Sequence, residues 1–171
     1  NITAQFLGTY QRQTGALTYI CLAILMLSAS LVSDSDFLKR FTRITLVVGV
    51  ILIVYGNLQY LGLEPFPYVN AYTLNAPIGT FGNSNFQSAF MGLIAVVSFT
   101  MVLNKAFKSS IKIGLALVGV ASLIVVYETL STQGYLNFIA GIGAVTILWL
   151  FMSKRKTLGL TVSGLGAFGA V

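Results

Sequence analysis

Histidine is absent from this chain, cysteine occurs once, and only four residues are acidic. Without histidine there is no His-based catalytic triad and no histidine-ligated zinc site within these residues. The four acids (Asp34, Asp36, Glu64 and Glu128) are scattered along the chain. Cys21, in the middle of an apolar run, has no second thiol to pair with and says nothing about redox compartment. Charged residues make up 8% of the chain, against roughly 25% in a soluble domain. All three prolines (Pro65, Pro67 and Pro77) fall between residues 56 and 87, and that stretch contains no Lys or Arg.

What is abundant is apolar. Hydrophobic residues form 56% of the chain, and the mean hydropathy is +0.87. These values describe an integral membrane protein. A helix needs about 20 mostly apolar residues to cross a bilayer. Five stretches approach that: residues 15–32, 44–60, 88–103, 111–127 and 135–152. A sixth begins near Leu158. Runs such as ITLVVGVILIVYG and IGLALVGVASLIVVY do not alternate apolar with polar, so the strands of an outer-membrane barrel are rejected. The expected fold is all-α: a polytopic transmembrane helix bundle of about five full spans and the start of a sixth, with the N-terminus outside. It forms a single transmembrane domain over residues 1–171. The chain starts at Asn1 without Met and stops inside an apolar run, and reads as a portion of something longer. The first apolar run has neither a basic leader nor a small-residue cleavage site, so it is not read as a signal peptide.

The connections sort by charge. The first carries Lys39, Arg40 and Arg43, the third Lys105, Lys108 and Lys112, and the fifth Lys154, Arg155 and Lys156. The second, residues 56–87, and the fourth, ETLSTQG, carry none. The positive-inside rule assigns the basic connections to the cytoplasm and the others to the outside. Nine of the ten basic residues are then topology anchors, and the net charge of +6 requires no nucleic-acid partner. The tenth is Arg12, on the outward side. It either snorkels to lipid phosphate or grips an anionic substrate through two parallel hydrogen bonds.

Residues 56–87 read as a structured loop just outside the membrane. They are dense in amides and aromatics and are punctuated by Gly and Pro. Gln11, Gln59, Tyr68, Asn83, Asn85 and Gln133 are the candidate substrate-binding residues on the outward side. Amides match sugar hydroxyls, and aromatic rings stack on sugar C–H faces. An ordinary aromatic belt with polar loops would look similar. Asn83 and Asn85 also suit turns and could cap the helix expected near Ser88. Glu128, at the end of an apolar run, is either solvated or serves as a base or a partner for a cation such as Arg12. Gly134 reads as a plain turn residue.

Three segments occur in a telling order: GTYQRQTG (residues 8–15), GTFGNSNF (residues 79–86) and STQG (residues 131–134). Together they resemble the bacterial O-antigen ligase and polymerase superfamily, which includes O-oligosaccharyltransferases. Ser84 stands where proline is usual in that family, and Gln133 where the ligases often carry Arg. The resemblance implies a polytopic glycosyltransferase of the bacterial inner membrane. Such an enzyme moves a glycan from an undecaprenyl-diphosphate carrier to a glycan or protein acceptor on the periplasmic side, with no metal or other cofactor. It gives Arg12 the diphosphate leaving group; Glu128, read from its own place at the end of an apolar run, is the second candidate catalytic residue. The family also relies on a large periplasmic loop with further Arg and often His, expected beyond Val171.

Two readings from other classes stand beside it. A small transporter component usually carries ionisable residues near the bilayer midplane, and none of the five stretches has a charged residue in its interior. A structural membrane subunit of a larger complex fits the short length and the small residues Gly114, Gly119, Gly141, Gly143 and Ala144, which favour helix packing.

Overall fold

The computed structural model describes Phe6 and residues 16–32, 34–63 and 76–153. The expected sixth span lies outside the described residues, as do Gln11, Arg12 and Tyr68. Among the described residues every regular element is helical. The α-helices are α1 (Ala16–Ser30), α2 (Ser35–Tyr60), α3 (Ser84–Val102), α4 (Ser109–Glu128) and α5 (Gln133–Met152). A short 3-10 turn, Gly79–Phe81, precedes α3.

The last four helices have 26, 19, 20 and 20 residues and are apolar enough to cross a membrane. At about 1.5 Å per residue, 20 residues reach roughly the 30 Å of a hydrocarbon core. The helix α1 has 15 residues, which is short of a full span. The structure therefore describes four spanning-length helices where five were expected.

The boundaries also move at the charged connection. Residues 35–43, expected as a loop, form the first turns of α2. The Asp34 carboxylate accepts the Asp36 N–H at 2.9 Å, which serves the start of this helix. Lys39 pairs with Asp36 at 3.0 Å on an exposed face. The helix continues to Tyr60, so the polar stretch 56–87 opens on helix and closes on the first turn of α3.

The chain forms two compact units, Asn1–Arg43 and Ile44–Val171. In the first, α1 is apolar around its circumference and exposed. In the second, α3 is central: it packs against both α4 and α5, which barely touch each other. The second half of α2 joins them through Leu52 and Ile53, which meet Met91, Ile94, Val125 and Val126 in the core.

The burial pattern is unlike that of a soluble protein. Gln87, Ser88, Ser98 and Ser122 are fully buried, whereas Leu25, Ile51, Leu117, Ile139 and Leu148 are all exposed. Apolar side chains outside and small or polar ones between the helices suit a bundle whose solvent is lipid. The helix lengths and this pattern make the chain a membrane protein.

Glycine sets the closest approaches. A Cβ at Gly92 of α3 would collide with the carbonyl oxygen of Gly134 in α5. A Cβ at Gly134 would lie 2.6 Å from the backbone oxygen of Ser88. Gly134 is thus a buried helix residue at a backbone crossing rather than a plain turn residue. Gly119 faces the Phe99 ring and Gly141 faces Val96, while Gly114 and Gly143 face open space. Substituting Gly92 or Gly134 by Ala should therefore lower stability by about 1–3 kcal/mol, as overpacking does. Gly114→Ala and Gly143→Ala should be neutral or mildly stabilising because Ala is the better helix former. Thermal unfolding of the purified variants in detergent measures the contrast.

Candidate functional site

The turn that leads into α3 is built by its own sequence. Gly79 and Gly82 take left-handed backbone angles, φ +56° and +66°, which cost a glycine nothing. Asn83 is extended, and its side-chain oxygen accepts the Asn85 N–H at 2.8 Å. It is the N-cap of α3, which starts at Ser84, four residues earlier than expected. Ser84 then occupies the first helical position, where proline is favoured because its missing N–H would have no helical partner. A serine there supports the same backbone.

This turn is latched to α2. The side-chain oxygen of Gln59 accepts the N–H of Ile78 at 3.1 Å and of Gly79 at 2.8 Å. Ile78 is right-handed and Gly79 left-handed. That pairing turns successive N–H groups toward one acceptor. Pro77 and Ile78 are buried beside this latch. The Gln87 amide lies against Gly79, where a Cβ would overlap it. The Gln87 Nε2 reaches the Leu52 carbonyl at 3.4 Å, a weak bond, and its Oε1 has no hydrogen-bond partner among the described residues.

The α4–α5 connection closes over the start of α3. It is four residues long, and Leu130 takes a left-handed φ of 54°. That position at a helix C-terminus is usually filled by Gly or Asn. Ser131 Oγ donates to Asn85 Oδ1 at 2.9 Å and accepts the Gln133 N–H at 3.3 Å. Ser88 Oγ donates to the Ser131 carbonyl at 3.3 Å and accepts the Gly134 N–H at 3.1 Å. The first N–H groups of α5, which have no intrahelical partner, are thereby satisfied in part from another helix. Asn137 adds a bond from its amide nitrogen to the Ala89 carbonyl at 3.2 Å.

The described candidates therefore gather at one end of the second unit, with their polar atoms differently engaged. The amide oxygens of Gln59, Asn83 and Asn85 hold the local architecture. Gln133 is exposed. Glu128 ends α4 three residues before Ser131, is 7% exposed, and its Oε2 has no hydrogen-bond partner among the described residues. A buried carboxylate oxygen without a partner is expensive. Two residues that tie the end together, Ser88 and Ser131, were not singled out from the sequence. The signal for Ser88 was its place four residues before Gly92, a small-x3-small pattern on α3.

Comparison with protein-family models, with curated proteins and with solved structures finds no match to this chain.

The latch predicts a local effect. Gln59→Leu should leave two N–H donors unsatisfied and raise hydrogen exchange at residues 78–80 by about tenfold or more. The amides in the middle of α3 should stay protected. Gln59→Glu, which keeps an acceptor, should restore protection at residues 78–80.

Proposed function

We propose that this chain is part of a bacterial inner-membrane glycosyltransferase of the O-antigen ligase and polymerase kind, working on the periplasmic side. The carrying observation is the Ser131–Asn85 hydrogen bond, which joins the GTFGNSNF segment to the STQG segment at one end of the bundle. Two short motifs 46 residues apart are thus neighbours in space, as parts of one site would be. The buried Glu128 carboxylate beside them supports the same reading.

In the proposed reaction the acceptor hydroxyl attacks the anomeric carbon of the lipid-linked glycan. The bond from that carbon to the diphosphate oxygen breaks, and negative charge grows on the diphosphate. Arg12 stabilises that charge, which is the part of the transition state most dependent on a fixed cation. Glu128 serves as base for the acceptor proton. Gln11, Tyr68 and Gln133 bind the donor glycan, and the turn that Gln59, Asn83 and Asn85 hold in shape lies alongside it. The N-terminus faces outward and the Lys-rich connections face the cytoplasm, in line with the positive-inside rule.

In membranes that supply an undecaprenyl-diphosphate glycan, Arg12→Ala should abolish transfer at an unchanged protein level, and Glu128→Gln should lower it by about 100-fold or more. Full activity in Arg12→Ala removes this residue from the site. Cysteine accessibility checks the orientation: a label at position 108 should react only from the cytoplasm and one at position 72 only from the periplasm.

A further inference from the structure

At the opposite end of the second unit, α3 and α5 diverge and leave a groove of about 530 Å³ lined by Thr100, Leu103, Asn104, Val145, Thr146 and Trp149. We propose that this groove binds one anionic phospholipid, with an acyl chain between the helices and the headgroup phosphate at Lys105 and Lys108.

The lining is mostly apolar. Thr100 Oγ1 donates to the Val96 carbonyl at 2.7 Å, and Thr146 Oγ1 donates to the Ile142 carbonyl at 2.8 Å. Asn104 Oδ1 accepts the Ala106 N–H at 2.9 Å. Both hydroxyl protons and the amide oxygen are thus engaged within the protein. Apart from the Asn104 side-chain nitrogen and the Trp149 indole N–H, the lining side chains offer methyl, methylene and ring surface, which suits a hydrocarbon chain.

The mouth of the groove is cationic. The chain leaves the lining at Asn104 in a tight turn, with Phe107 N–H bonded to the Asn104 carbonyl at 3.4 Å. Lys105 and Lys108 are exposed on that turn. Within residues 84–153 the one acidic residue is Glu128, at the other end of α4. These lysines therefore have no carboxylate nearby on α3, α4 or α5. The helix α4 starts directly after them, and Lys108 makes no side-chain cap bond. Positive charge above an apolar cleft between helices complements an anionic headgroup above an acyl chain. Trp149, 59% exposed at this end, suits a membrane interface.

Trp149 is the one tryptophan in the sequence and lines the groove, so its fluorescence reports the occupant. The protein is reconstituted in phosphatidylcholine vesicles with rising fractions of dibrominated phosphatidylglycerol or dibrominated phosphatidylcholine. Trp149→Phe supplies the blank. Phosphatidylglycerol should quench at the lower mole fraction, by roughly fivefold for each lysine that holds it. The Lys105→Gln/Lys108→Gln variant should bring the two curves together. Lys39→Gln/Arg40→Gln, which removes as much charge elsewhere, should leave them apart. Coincident curves for the unaltered protein would overturn the proposal, and that comparison needs no variant to fold. An equal loss of preference in Lys39→Gln/Arg40→Gln would also overturn it, because attraction would then follow overall charge.

Discussion

The close crossing of α3 and α5 is the contact on which the second unit depends. Gly92 and Gly134 let two backbones meet where any side chain would separate them. In lipid, helices gain nothing from hiding apolar surface, so association relies on packing and interhelical hydrogen bonds. Ser88 supplies both at this point, because it is small and bonds to one group of the α4–α5 connection and one of α5. Separating the helices here would break the Ser131–Asn85 bond and uncover the first turn of α5. The polar end of the bundle is thus a consequence of a packing contact within it.

The two ends of that unit are chemically unlike. One end is rich in amides and serines that bind one another, with a buried carboxylate and no Lys or Arg among its described residues. The other end is basic and has an apolar cleft. A bilayer with different surroundings on its two sides gives such asymmetry a use. One end offers amides, hydroxyls and a buried carboxylate whose Oε2 has no hydrogen-bond partner among the described residues, which suits a polar ligand. The other offers cations and hydrocarbon, which suits the membrane itself.

Polar atoms at the candidate site divide into those that build and those that remain unpaired. Gln59 and Asn83 are candidate ligand contacts because amides suit sugars. Their side-chain oxygens also satisfy backbone N–H groups, at Ile78 and Gly79 in the turn before α3 and at Asn85 in its first turn. Buried N–H groups must find acceptors, and a short glycine-rich turn has few of its own. Gln87 Oε1 and Glu128 Oε2 remain without partners among the described residues. The distinction between architecture and chemistry at this site lies in that accounting, and residue type alone did not carry it.

Composition and the lengths of its apolar runs were enough for the all-helical membrane character of this chain, because a spanning helix must carry its own signature in consecutive residues. The spans at 88–103, 111–127 and 135–152 shifted by only a few residues at each end. The start of α2 was missed because charged residues can ride on the end of a spanning helix as well as on a loop. Asn83 as a cap was legible too, since capping is local. Tertiary structure alone decided that Gly134 is a crossing point, that Ser131 meets Asn85, and that Gln59 holds the turn at Ile78. Each of these joins residues far apart in the chain. Sequence spacing cannot specify such a contact until the helices are packed.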